Sequence, residues 1–290
     1  MLTTVQWFIR CGVTAAVLLL ACGFATARFG HGLQLPSTTT RDGSLITLNR
    51  YATEPIPEVV LVGSSLTFRL KEEYFATTRL RNLALAGGSP VTGLEIVANQ
   101  PRLPKIILVE TNVLSRATDD AFVARYSRRG NTESLFFRPV RTAVASYENW
   151  RHAPVTHAQA ALAHARLLAQ PPSDFDNQVY VDRAVHQANT EDPTAATQIN
   201  VQRIQQLTLT LEQRGARVQL FQLPLSKELE NARFANITGD IVHARFPDSD
   251  RWLKIDVPRS ELRWADGVHL DERSAFIVVQ SIDRAILLPH

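Results

Sequence analysis

An aspartate three residues before a histidine, in Trp264-Ala-Asp-Gly-Val-His-Leu270, is a spacing with a mechanism. Both side chains can share one tight turn eased by Gly267. There the Asp266 carboxylate accepts from the imidazole Nδ1 and fixes the tautomer that leaves Nε2 free to deprotonate an alcohol. Alone, the pattern reads equally as a capped helix start. An alcohol for such a base stands far upstream, in Glu58-Val-Val-Leu-Val-Gly-Ser-Ser-Leu-Thr67, where an aliphatic run stops at a glycine and two serines. A short apolar run without polar alternation fits a strand covered on both faces, as in a parallel sheet. Gly63 lets the backbone turn sharply and presents the serines at the strand's carboxyl end, where open α/β sheets place their ligands.

The elements that must position these groups follow an α/β rhythm. Apolar runs at Val59 to Val62, Leu83 to Leu85, Ile106 to Val109 and Val218 to Leu223 are separated by helical or loop segments, which predicts a parallel sheet. Trp252 to Val257 is a further strand candidate. The gap between the third and fourth runs is about a hundred residues, far more than the dozen or so of one crossover. We therefore expect a helical insertion over 115–198. Asp119 to Arg129 would end at Gly130, Thr132 would cap a helix from Glu133 toward Trp150, and Val155 to Gln170 would stop at Pro171-Pro172. Ile199, Val201, Ile204, Leu207 and Leu211 follow helical spacing up to Gly215, Leu225 to Ala244 is helical in part, and Ser274 to Leu288 closes the chain as an amphipathic helix. His157 and His164 could share a helix face, but with no acidic or cysteine ligand beside them they read as solvated positions, and no metal or cofactor is expected.

With 290 residues and 45% hydrophobic content the chain can bury a large core. Its 31 basic residues are scattered among 28 acidic ones, so no basic stripe points to nucleic acid. Arg10 is followed by an uncharged run from Cys11 to Ala27 and then by Arg28. Extended by Trp7, Phe8 and Ile9, this run nears the roughly 20 residues that a bilayer requires. Residues 1–28 are read as a membrane anchor. Cleavage after Ala25-Thr-Ala27 and lipidation at Cys22 within Leu19-Leu-Ala-Cys22 stay open. Both cysteines, Cys11 and Cys22, lie in this segment, so the globular part has no thiol for catalysis, metal or disulfide. Residues 29–57, with Ser37-Thr-Thr-Thr-Arg-Asp-Gly43 and the prolines at 55 and 57, read as a linker to a domain over 58–290.

Taken together, Gly63-Ser-Ser-Leu-Thr67, Asn82-Leu-Ala-Leu-Ala-Gly-Gly88, Glu110-Thr-Asn112 and Asp266-Gly-Val-His269 resemble, in order, the blocks of the SGNH (GDSL-type) serine hydrolase superfamily. The resemblance covers residues 58–114 and 217–288. It implies a three-layer, flavodoxin-like α/β fold with Ser65 as nucleophile, Asp266 and His269 as acid and base, and an oxyanion hole from the Ser65 N–H, Gly87 and the Asn112 amide. A one-residue shift to Gly88 is an alternative for the glycine. Ser64 stands where that family usually has aspartate, Glu110 where it has glycine, and Val113 where an aspartate often follows the asparagine. With the anchor, this pattern is similar to membrane-anchored SGNH-like proteins of cell-surface polymer acylation. It implies a periplasmic O-acyltransferase or esterase acting on an acyl (acetyl) ester of a glycan, anchored in the inner membrane, with a membrane-bound O-acyltransferase as partner. The alternative is a catalytically idle SGNH-like module that binds a glycan or scaffolds such an assembly; a charged Glu110 near the oxyanion hole would favour it.

Overall fold

The computed structural model of the chain describes residues 3–29, 40–76, 79–132, 147 and 156–287. Four strands form its centre: β1 Val59–Val62, β2 Leu80–Asn82, β3 Ile106–Glu110 and β4 Arg217–Phe221. They pair in parallel in the order β2-β1-β3-β4, with Val59 opposite Ile106 and Ile106 opposite Arg217. The protein is thus an α/β structure on a parallel sheet. Alternate residues of the apolar runs feed two cores. Val60, Val62, Ile107, Val109, Val218 and Leu220 face one layer, while Val59, Leu61, Leu108 and Phe221 face the other. Because both faces are covered, the runs show no polar alternation.

The first layer contains α2 Thr40–Thr53, α4 Pro90–Ala98, α5 Asp120–Tyr126, α8 Thr194–Gln213 and α10 Arg233–Arg245. The second is built on α11 Glu272–Leu287, joined by the short α3 Ser65–Phe68. Between β3 and β4 lie α5, α6 His157–Leu168, α7 Gln178–Thr190 and α8, so the described part of the long connection is helical. Thr156 and Gln159 close a capping box on α6, and Gly215, at φ +87°, ends the turn after α8. The helix expected from Glu133 toward Trp150 lies outside the described residues, apart from Tyr147. At the N-terminus, α1 Thr4–Phe29 contains a 22-residue stretch, Thr4–Ala25, long and apolar enough to cross a membrane or to act as a signal sequence. The short α9 Lys227–Glu230 precedes α10.

Several expectations need correction. The second strand falls at Leu80–Asn82, three residues before the apolar trio. As an edge strand it carries Arg81, which pairs with Glu54 and Glu72, while Leu83 and Leu85 continue along β1 through bonds to the Leu61 and Gly63 carbonyls. Trp252 makes only an isolated parallel bridge to Leu220, after which the chain leaves the sheet. The stretch read as a linker contains α2, whose Leu45, Leu48, Tyr51 and Ala52 are core residues; their burial overrides the weak helix propensity of its Thr, Gly and Ser. His164 is half-buried rather than solvated, its ring 4.5 Å from that of Phe276 and 5.9 Å from that of Tyr74. The His157 side chain is outside the described set.

Chain progression reverses between β1 and β3. In open α/β sheets such a switch point leaves a crevice at the strands' carboxyl ends. The segments that leave β1 and β3 there begin with Gly63-Ser64-Ser65 and Thr111-Asn112.

Candidate active site

Ser65 is the first residue of α3, immediately after its cap. The Ser64 hydroxyl accepts from the Leu66 N–H, at 3.2 Å, and so starts the helix. Ser65 Oγ lies 2.9 Å from His269 Nε2, and His269 Nδ1 lies 2.8 Å from Asp266 Oδ2. The other carboxylate oxygen, Asp266 Oδ1, accepts from the backbone N–H groups of Val268 (3.1 Å) and His269 (2.7 Å). Four bonds thus make one chain from a fixed carboxylate through an imidazole to a serine hydroxyl.

The loop carrying His269 is itself tied down. Gly267 has φ +82°, the left-handed conformation that the tight turn requires. The Ala265 N–H donates to the His269 carbonyl and the Asp271 N–H to that of Arg263, closing the loop into a small hairpin. Asp271 then accepts from the Ser274 N–H at the start of α11. From the insertion, the Asn177 side chain donates to the carbonyls of Trp264 and Ala265. Nothing in the local sequence around Asn177 signals this role.

Burial raises the Asp266 pKa, but the hydrogen bonds from the His269 ring and N–H, the charge of the imidazolium and the Val268 N–H outweigh it, and Asp266 is held at about 2. It is ionised wherever the imidazole works as a base.

Behind Ser65 sits a second carboxyl group. Glu110, at the end of β3, is fully buried, and its Oε2 accepts from the Ser64 N–H (2.7 Å), the Ser64 hydroxyl (2.7 Å) and the Thr67 hydroxyl (3.0 Å). Its bonds go to Ser64 and Thr67 rather than to Ser65 Oγ or His269, and they hold both ends of the α3 turn. Gly63 is needed here for room rather than for an unusual φ. A Cβ at that position would lie 2.4 Å from Thr67 Oγ1 and 2.8 Å from Glu110 Oε2. Asn82 secures the end of the same turn, donating to the Thr67 and Leu70 carbonyls.

Burial pushes Glu110 up from its ordinary value, against the opposing hydrogen bonds from Ser64, Thr67 and Val113. A raised carboxyl pKa means that the folded chain keeps a proton which the unfolded chain releases, so this group's contribution to stability falls as pH rises above the usual carboxylate range. Glu110→Gln removes that proton exchange. The denaturation midpoint of wild type, compared with the variant, should decline more steeply between pH 4.5 and pH 8. Parallel pH profiles would refute this reading.

Ser65, His269 and Asn112 line one cavity of about 490 Å³, together with apolar side chains including Leu66, Val113, Leu229, Phe234 and Val268, and with Ala184, Gln187 and Ala188 of α7. Asn112 bridges the ends of β3 and β4. Its Nδ2 donates to the Leu223 carbonyl (2.9 Å) and its Oδ1 accepts from the Leu223 N–H (2.7 Å), so one amide hydrogen remains to serve a ligand. The Ser65 N–H, at the first position of α3, donates to no group among the described residues. Gly87 is not brought to this wall. The turn at Gly87, at φ +75°, exposes it on the side of Thr40, and its carbonyl accepts from Arg116 Nη1 at 2.7 Å. Arg116 itself lines the cavity, whereas neither Gly87 nor Gly88 does. Among the described residues no three His, Cys, Asp or Glu side chains gather as a metal site.

No protein-family model matches the chain, and neither does any curated protein. The functional reading is carried by the geometry above.

Proposed function

We propose that this protein is an SGNH-type serine acyltransferase or esterase that forms an acyl-Ser65 intermediate on its way to adding or removing an O-acyl group on a glycan. The observation that carries the reading is the hydrogen-bond chain Asp266–His269–Ser65, closed between residues 204 positions apart. Neutral His269 takes the Ser65 proton at Nε2 as Oγ attacks the ester carbonyl, and the ionised Asp266 stabilises the resulting imidazolium. The Ser65 N–H and the free hydrogen of the Asn112 amide supply donors for the developing oxyanion; one such donor is typically worth about two to three orders of magnitude in rate. His269 then returns the proton to the departing alcohol, and water or a second alcohol repeats the sequence to free Ser65.

The sheet order β2-β1-β3-β4 supports a flavodoxin-like SGNH fold. Two departures from that family's pattern also complement each other. The carboxylate usually found beside the nucleophile is a serine at 64, and a carboxyl group reaches the same place from Glu110. Because Glu110 points into the core, it places no charge on the oxyanion, which removes the main ground for an idle module. In this reading α1 keeps the domain on the periplasmic face of the inner membrane, beside a membrane-bound O-acyltransferase that delivers the acyl group. A fluorophosphonate probe tests the nucleophile directly: the folded protein should be labelled at Ser65 alone, and a folded protein left unlabelled by excess probe would sink the proposal.

A further inference from the structure

A second cavity, of about 400 Å³, adjoins the catalytic one and shares Asn112, Leu225 and Ala235 with it. It lies within the roughly 300–1,000 Å³ of small-ligand sites. The segment that leaves the sheet after Trp252 forms part of its wall, through Ile255, Asp256 and Val257. The two cavities differ in chemistry. The catalytic one has more apolar than polar lining, with Leu66, Val113, Leu229, Phe234 and Val268, and room for an acyl group, although Arg116, Gln187 and Glu191 also line it. The second carries Gln222, Glu230, Asp256 and Arg259.

These polar groups are not equally available. Arg259 is committed to Glu230, at 2.9 and 2.8 Å, and to the Leu225 carbonyl, so those two charges cancel. Gln222 and Asp256 are exposed and bond to nothing among the described residues. What remains is a neutral amide with donors and acceptors, one carboxylate without an ion-pair partner among the described residues, and apolar lining from Pro224, Ile255 and Val257. An amide and a carboxylate over an apolar platform suit a sugar ring, which offers hydroxyl donors at its edge and C–H groups on its face. A free carboxylate repels an acidic sugar.

We propose that this second cavity seats the acyl acceptor, a hydroxyl-rich sugar unit that carries no carboxylate. The proposal rests on the acyl-serine reading above and adds the partner alcohol to it. The acceptor O–H gives its proton to His269 Nε2 while its oxygen bonds to the acyl carbon. The carbon–Oγ bond to Ser65 then breaks, and the proton passes from His269 to Oγ. Asn112, on the wall between the cavities, contacts both halves of the reaction.

Calorimetric binding to the full-length protein in detergent tests this without turnover. The probes are neutral tetrasaccharides of the cello, malto and N-acetylated chito series, against tetragalacturonate. At low salt at least one neutral probe should bind at least about tenfold more tightly than the acidic one, and Asp256→Lys should reverse that ranking. A merely structural role for Asp256 would weaken all probes together. No binding by any neutral probe, equal or tighter binding of tetragalacturonate, or a ranking unmoved by Asp256→Lys would each overturn the proposal. Loss of fluorophosphonate labelling would defeat the acyl-serine reading instead, and the ranking of sugars would still be measured.

Discussion

Ser65→Ala should bring hydrolysis of an activated ester down to background, a loss of about six orders of magnitude if the triad acts as a unit. The variant should fold normally, because Ser65 Oγ bonds only to His269 Nε2 among the described residues and the cap of α3 belongs to Ser64. Its unfolding free energy should therefore match wild type to within about 0.5 kcal/mol. His269→Ala should lose a similar amount, and the double variant should be no worse than either single one, since a base without its nucleophile has nothing to activate. Additive losses would separate the two residues, and a Ser65→Ala protein within tenfold of wild type would remove the nucleophile altogether. Steady-state rates with an activated ester, beside circular dichroism, decide among these results.

Asp266→Asn should cost about four orders of magnitude while leaving the loop in place. The asparagine oxygen can still accept from the Val268 and His269 N–H groups, as Asp266 Oδ1 does. Its amide would face His269 Nδ1 where Oδ2 now accepts, and an N–H there forces the ring proton onto Nε2, the atom that must take the proton of Ser65. The loss should appear in turnover rather than in substrate affinity. A stability signature accompanies it. Because Asp266 is held down at about 2, its stabilising contribution is complete above the ordinary carboxylate range and disappears as pH falls through about 2. The asparagine variant should lack that acid-side loss, as thermal unfolding between pH 2 and pH 5 would show. An active Asp266→Asn enzyme would mean that another group orients His269.

What was legible in the sequence divides along physical lines. Asp266 and His269 share one turn, so their relation is visible in a spacing, as is the glycine that the turn needs. The apolar runs Val59–Val62 and Ile106–Val109 are visible because a strand covered on both faces cannot alternate. Features decided by tertiary contact were hidden. β2 is an edge strand whose Arg81 is paired rather than apolar, so its pattern points three residues too late. α2 has a polar, glycine-containing start and is helical because its later residues are buried. Glu110 looked like a charge near the oxyanion; only its direction, into the core toward Ser64 and Thr67, shows it to be a brace. The position of Gly87 depends on which way a loop turns, which no spacing records.

The bond between Ser65 and His269 spans 204 positions, and the pairing of β3 with β4 must also form across the whole insertion. In a chain made from its N-terminus, Ser65 therefore precedes His269 by about 10 to 40 s at ordinary synthesis rates. Throughout that interval Ser65 is an unactivated alcohol, and long-range parallel pairing is among the slower events in folding. On the proposed function, reactivity is consequently the last property that the polypeptide acquires. If Ser65 is the nucleophile proposed above, a growing or truncated chain carries it unactivated, and the onset of covalent labelling during refolding should report completion of the whole domain rather than of any one part.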